Sequence, residues 1–311
     1  MTVQAPLVYV VTLTWNQIED TTSCLESLGQ MTYPNYRLLL VDNASVDGTV
    51  DAVRERFPGV DIIVNSENLG FPGGFNVGLS HALAQGADYI FMINNDTFVE
   101  PNILDELMAH ADSPGVGMLA PKIYYADEPD RIWSVGGGRH PWTMEMTDIG
   151  NLQFDRGQWE QVLEREYLVG CALLLTRAIL EEIGLFDKGY CPIYYEDVDL
   201  CVRARRAGYR LLLVPRARMW HKVSASGGGA GSPRERYLMG RNSVRFFRKY
   251  VRGWRWLAVA PYRLGSAVKT TARLLWQRRP ESASAYLRGL RDGFGMSLEQ
   301  HVEIEEPPCA S

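Results

Sequence analysis

Residues 89–101, YIFMINNDTFVEP, constrain this chain more than any other stretch. Residues 89–93 are an unbroken apolar run, the pattern of a strand covered on both faces. The run stops at Asn94-Asn95-Asp96-Thr97, and Glu100-Pro101 then opens a helix, proline being tolerated in a first turn. A strand of this kind belongs in an α/β sheet, where ligands bind beyond the carboxyl ends of the strands. Asn94 and Asp96 leave the chain on the same side and make an oxygen-donor pair suited to Mg²⁺ or Mn²⁺. The same residues also suit a turn that caps the helix. This stretch alone leaves both readings open.

The preceding segments repeat the pattern. Residues 7–13 form an apolar strand that ends at Thr14-Trp15-Asn16, and Ile18–Leu28 has helical spacing with a stop at Gly29. Residues 37–41 are a second strand, ending at Asp42-Asn43-Ala44-Ser45, after which Asp47 or Thr49 caps a helix through Arg56. Asp61–Val64 is a third strand, and residues 68–76 read as a glycine-rich loop feeding a helix through Ala84. Four strands alternating with three helices predict an α/β fold with a doubly wound, mostly parallel sheet. That topology places residues 14–16, 42–45, 65–70 and 94–97 along one edge, around a nucleotide-sized crevice. Such convergence favours the cation reading over the turn. A dinucleotide site fits poorly, because no GxGxxG follows the first strand.

Residues 118–122 read as a further strand, whereas residues 124–165 are turn-rich and show no period. Long loops of this kind are more often functional or mobile than inert. Acceptor contacts are expected here, with Trp133, Trp142 and Trp159 as stacking surfaces; the plainer alternative is that each tryptophan packs the loop down. Residues 167–175 read as a strand and Arg177–Ile183 as a short helix. In the next helix, Glu196, Asp199, Arg203 and Arg206 share a charged face, as solvent exposure would require. Asp197 instead shares its face with Leu200, Cys201 and Ala204, the core side. Burying a lone carboxylate is costly unless a cleft receives it, so Asp197 is the candidate general base. The helix N-terminus favours its ionised form and partial burial opposes it. Glu196 beside it joins the candidate acceptor contacts. A strand over residues 210–214 leads to Trp220-His221, a histidine that is either a packed ring or a ligand for a Mn²⁺-type ion.

At 311 residues and 46% hydrophobic, the chain can bury one large α/β domain with additions. Its net charge of −5 gives no sign of a nucleic-acid partner, but the charge is uneven. From Arg234 to Arg291 there are 15 Lys/Arg against Glu235 and Glu281, a net +13 that leaves −18 for the remainder. Five cysteines without a CxxC indicate neither a zinc site nor a disulfide framework, which fits a reducing compartment. The first residues lack the basic region of a signal peptide, and no run approaches the roughly 18 apolar residues of a membrane span. Residues 224–233 have the composition of a lid or a linker. Residues 234–250 and 254–276 are basic and helical, fit either to lie on an anionic membrane or to pack on the preceding domain. The expected organisation is a catalytic domain at 1–233, a basic helical extension at 234–298 and a disordered acidic tail at 299–311.

Taken in order, VTLTWN, VDNASVDGT, NLGFPGGFNVGL, NNDT, GCALLLTR, YYEDVDLCVRARRAGY, WH and a late RN-containing helix resemble the family 2 inverting glycosyltransferases of GT-A fold. The resemblance covers about residues 7–250 and is strongest to the rhamnosyltransferase-like branch that builds bacterial surface polysaccharides. It implies that Asp42 binds the nucleotide base, with Thr12, Thr14 and Asn16 around base and ribose. Asn68, Gly70, Asn94 and Asn95 would complete the nucleotide contacts. Asp96 is implied as the metal-binding member of the family's DxD, His221 as a further metal ligand and Asp197 as the catalytic base. Asn94 departs from the pattern, replacing the first Asp and lowering the charge at the metal. The implied reaction moves a sugar, rhamnose from dTDP-rhamnose before a UDP-sugar, to a glycan or lipid-linked hydroxyl with Mg²⁺ or Mn²⁺ as cofactor. A cytoplasmic location follows, with peripheral contact to the inner membrane face through residues 234–291. Two rivals stand beside this: a non-catalytic sugar-nucleotide-binding module of the same fold, and a membrane- or polyanion-binding scaffold resting on the basic helices.

Overall fold

A computed structural model describes residues 5–223 and 231–304. Alternate residues of the apolar runs enter two different cores. Val8 and Val10 of strand β1 (Val8–Thr14) pack with Leu25 of helix α1 (Ile18–Leu28), while Tyr9 and Val11 pack on the other side with Phe75 and Leu79. A period of two with both faces covered is why these strands read as apolar throughout. The chain continues through β2 (Tyr36–Asp42), α2 (Thr49–Arg56), β3 (Asp61–Val64), α3 (Gly70–Ala84), β4 (Tyr89–Asn94), β5 (Thr97–Val99), α4 (Ile103–Ala111) and β6 (Val116–Tyr125). Short strands β7 (Ile132–Ser134), β8 (Gly137–Arg139), β9 (Met146–Asp148) and β10 (Leu163–Glu164) precede β11 (Ala172–Thr176), α5 (Arg177–Ile183), α6 (Glu196–Arg206) and β12 (Arg210–His221). Three helices follow: α7 (Pro233–Tyr250), α8 (Trp256–Trp276) and α9 (Pro280–Gly293).

The main sheet has the order β10-β12-β6-β11-β4-β1-β2-β3, with β5 added to β12 and β7 to β6. β1 runs parallel to β2 and β4, β2 to β3, and β12 to β6, while β11 lies antiparallel between β4 and β6. The sheet is mostly parallel and flanked by helices, as expected. Parallel pairing brings Thr14, Asp42 and Asn94 to one edge. The antiparallel β11 begins there, so that Asn94 N–H donates to Cys171 O at 2.9 Å.

Several expectations change. Residues 70–76 are helix, not loop: α3 starts at Gly70, and its glycines let the helix lie close on the sheet. A Cβ on Gly78 would stand 2.4 Å from Val11 Cγ1, and one on Gly74 2.5 Å from Leu13 Cδ1. Glu100-Pro101 does not open a helix directly, because β5 intervenes and α4 begins at Ile103. The strand expected over 167–175 is confined to Ala172–Thr176, and the residues before it form a wall of the site.

The exposed charged face on α6 holds only for Arg206. Asp199 is fully buried, with Arg203 Nε at 2.8 Å, Lys249 Nζ at 2.5 Å and Tyr250 Oη at 2.7 Å. Lys249 also pairs with Asp187 at 2.8 Å, and Arg245 joins the same carboxylate at 2.8 Å. Arg245 and Lys249 therefore do not lie on a solvated side of α7. Paired charges can be buried where lone ones cannot, and the cations come from a helix that spacing within α6 cannot reveal. Phe246, Phe247 and Tyr250 of α7 share one core with Phe75 and Val11, so packing continues across the expected boundary at 233. The first part of the acidic tail is ordered by pairing: Leu185 N–H donates to Val302 O at 2.8 Å and Lys188 N–H to His301 O at 3.2 Å. Residues 305–311, and 224–230 of the expected lid, lie outside the described residues. No helix among the described residues is long and apolar enough to cross a membrane.

Candidate active site

The register of β5 on β12 builds the first part of the site. Thr97 pairs with His221 and Phe98 with Trp220, so Asp96, one residue before the strand, reaches the histidine. Asp96 Oδ1 lies 3.1 Å from His221 Nε2, and both residues are buried. Trp133 stands edge-on to the imidazole with centroids 4.6 Å apart. Burial opposes charge on His221, but Cys171 and the Asp96 carboxylate outweigh it and push the imidazole pKa up to about 10. An ion that takes Nε2 replaces that proton. At the end of β4, Asn94 Oδ1 is buried with no hydrogen-bond partner among the described residues. A carboxylate, an imidazole and an orphaned amide oxygen on one wall fit Mg²⁺ or Mn²⁺. Among the described residues no group of three His, Cys, Asp or Glu could hold an ion. The set is one that a substrate phosphate and water would complete.

The second part is the start of α6. Tyr194 and Tyr195 both adopt left-handed backbone, with φ of 81° and 76°, and turn the chain into the helix. Asn242 of α7 holds this turn by donating its side-chain amide to Tyr190 O at 2.9 Å, Ile193 O at 3.0 Å and Tyr194 O at 2.9 Å. Asp197 Oδ2 then accepts from Tyr167 Oη and from Gly170 N, each at 2.9 Å, and Oδ1 from Val198 N at 2.8 Å. Gly170 must be glycine for this approach, since a Cβ there would stand 2.9 Å from Asp197 Cβ. Burial raises the Asp197 pKa above the usual carboxylate range, while those hydrogen bonds favour the anion. Burial, and then repulsion by Asp197, hold Glu196 well above its ordinary value. Its Oε2 is buried without a hydrogen-bond partner among the described residues. Of the pair, Asp197 is the carboxylate whose anionic form is supported by hydrogen bonds, three of them from Tyr167, Gly170 and Val198.

Two cavities meet at this edge. One, of about 450 Å³, is lined by Asp197, Glu196, Tyr167, Trp133 and His221. The other, of about 610 Å³, is lined by Thr14, Asn16, Asn68, Gly70, Asn95 and Arg234. Asn94 and Asp96 line both.

Of the other expected residues, some lie outside both cavities and some are tied into the fold by hydrogen bonds. Thr12 and Asp42 are buried and line neither of these two cavities; Asp42 Oδ2 accepts from Ser45 N at 2.9 Å, and its Oδ1 has no hydrogen-bond partner among the described residues. Asn16 ties β1 to the loop after β2, its Oδ1 accepting from Val46 N at 2.7 Å. Asn95 donates to Thr21 Oγ1 at 3.0 Å and Gln17 Oε1 at 3.1 Å, which fixes α1. Trp142 lies outside both cavities, exposed and edge-on to Trp254. Trp159 packs in a small core with Tyr124 and Ile132.

Residue-by-residue reading missed Tyr167 and Gly170, which lie 30 and 27 positions from Asp197. The glycine that opens GCALLLTR was the available signal. Arg234, read only as the start of a basic segment, lines the second cavity, as does the partly exposed Trp15.

Sheet order, helical layers and the two-cavity edge define a GT-A fold. Among solved structures, the mannosyltransferase PcManGT from Pyrobaculum calidifontis, in complex with GDP-Man and Mn²⁺, aligns with a TM-score of 0.57 at 17% identity. That alignment covers 89% of this chain and 73% of the other. GalNAc-T7 with UDP, GalNAc and Mn²⁺ aligns at 0.62 and 17% identity, covering 94% of this chain and 55% of that one. The model of glycosyl transferase family 2 matches residues 9–184, more than half of the chain, and the chain belongs to that family. An uncharacterised protein of Sinorhizobium fredii is 28% identical over 245 residues, which is 74% of this chain but only 26% of that protein. The chain thus spans about a quarter of that relative's length. The N-acetylglucosaminyl-diphospho-decaprenol L-rhamnosyltransferase of Mycobacterium tuberculosis is 28% identical over 246 residues, covering 70% of this chain and 77% of that enzyme.

Proposed function

We propose that this glycosyltransferase moves a sugar from a nucleoside-diphosphate sugar to a hydroxyl group, inverting the anomeric carbon. The observation that carries the reading is the shared wall: Asn94 and Asp96 line both cavities, whereas Asp197 lines only one of these two. The nucleotide lies in the cavity of Thr14, Asn68 and Gly70, with Trp15 available to stack on the base and Arg234 to meet the diphosphate. Asp96, His221 and Asn94 would hold a divalent ion, which would supply Lewis-acid neutralisation of the charge on the leaving diphosphate. Asp197 takes the proton of the acceptor hydroxyl as it attacks the opposite face of the sugar, so no enzymic nucleophile is required. Glu196 and Trp133 contact the acceptor from the same cavity.

We favour rhamnose as the sugar and a lipid-linked glycan as the acceptor, because the name of the Mycobacterium relative states both. We place the reaction in surface-polysaccharide synthesis on the cytoplasmic face of a membrane. The test is turnover: the protein is incubated with Mn²⁺, a lipid-linked acceptor and either dTDP-rhamnose or a UDP-sugar, and glycosylated lipid is measured. Product formed from one donor and dependent on the acceptor supports the reading. Donor binding without product from any donor favours a non-catalytic sugar-nucleotide module, the reading that neutral Asn94 at the metal would suit.

A further inference from the structure

Helix α8 is amphipathic in the inverted sense. Leu257, Pro261, Leu264, Val268 and Leu275 recur at intervals of three, four and seven residues, which places them on one helical face. That face points outward: Leu257 is 80% exposed, Leu264 69%, Val268 62% and Leu275 54%. The opposite face buries Val259 and Leu274. Trp254 and Trp276, at the two ends of the helix, are 64% and 84% exposed. A contiguous apolar face of this kind marks an interaction site rather than ordinary surface.

Charge chooses the occupant. Residues 251–280 contain seven Lys/Arg and no Asp or Glu, in a chain whose net charge is −5. Lys269 and Arg273 of this helix are both exposed. Two copies of such a face would repel one another, whereas an anionic lipid surface complements both the cations and the apolar side chains. Tryptophans at the ends of a helix suit the polar–apolar boundary of a bilayer. We infer that the outer face of α8 is a membrane-docking surface for anionic lipid bilayers, lying in the interface plane rather than crossing it. Arg245 and Lys249 of helix α7 are held in buried ion pairs and do not face a lipid surface. The inference deepens the proposed use of a lipid-linked acceptor by locating the bilayer beside the acceptor cavity. Trp254 meets Trp142 at 5.9 Å between centroids, and Arg263 Nη1 lies 3.8 Å from Glu145, a residue of that cavity's wall.

The test is co-sedimentation of the full chain with vesicles of phosphatidylglycerol and phosphatidylcholine, against vesicles of phosphatidylcholine alone. Wild type is expected to bind the anionic vesicles and to be released by salt. Leu264→Asp with Val268→Asp should weaken binding about tenfold or more, and Lys269→Glu with Arg273→Glu should lower it on anionic vesicles. All four positions are exposed, so melting temperature and nucleotide binding should stay as in wild type. Vesicle binding needs no turnover, so its outcome is separate from that of the transfer assay. Equal binding of wild type and both variants, or none by wild type, overturns the inference. Concentration-dependent self-association that the aspartate pair abolishes, without vesicle binding, also overturns it and makes the face a contact between copies.

Discussion

Asp197 depends on two groups outside its own helix. Replacing it with Asn removes the proton acceptor and keeps the shape, so transfer should fall about 10²–10⁴-fold while nucleotide affinity stays near wild type. Parallel loss of both would refute the assignment. Tyr167 donates to the anionic form of Asp197, and its own pKa is held well above the ordinary value, first by burial. Tyr167→Phe removes a bond that lowers the Asp197 pKa, which therefore rises further. Transfer needs the ionised carboxylate, so the acid limb of the rate profile should move to higher pH. An unmoved limb, measured from kcat across pH, would separate Tyr167 from the base. Asp197 was legible because its face on α6 is the apolar one, but Tyr167 was not, since no local pattern reports a partner 30 residues away.

Strands and helices whose partners are adjacent in the chain were read from periodicity alone. β1 to β4, α1 and α2 fall close to their expected places because a strand buried on both faces leaves an unbroken apolar run. β5 escaped because three residues carry no period, yet its pairing is what sets Asp96 against His221. In α3 the glycines serve contact rather than a turn. Gly78→Ala should cost about 1–3 kcal/mol in chemical unfolding, because Val11 and Val41 leave no room for a methyl group. A neutral effect would mean that the helix can lift from the sheet. Between α6 and α7, Lys249→Met leaves two buried carboxylates short of a partner and should cost about 3–5 kcal/mol. A change below about 1 kcal/mol, the size of an exposed pair, would contradict the buried network.

For the molecule as a whole, class and layer order were legible from alternating strands and helices, but the assembly of the site was not. Residues 124–165 gave no period because their strands are two or three residues long, and they nonetheless contribute Trp133 and Glu145 to a cavity wall. In the proposed reading the two cavities form one donor–acceptor site joined at Asp96. This is tested most directly by thermal-shift titration of wild type and Asp96→Ala with dTDP, UDP and GDP, each with and without Mn²⁺. A ligand that binds only the folded state raises the melting temperature by mass action. A Mn²⁺-dependent rise is expected for one nucleotide in wild type and is lost in Asp96→Ala. A rise of equal size in both proteins, or none with any nucleotide, would contradict it.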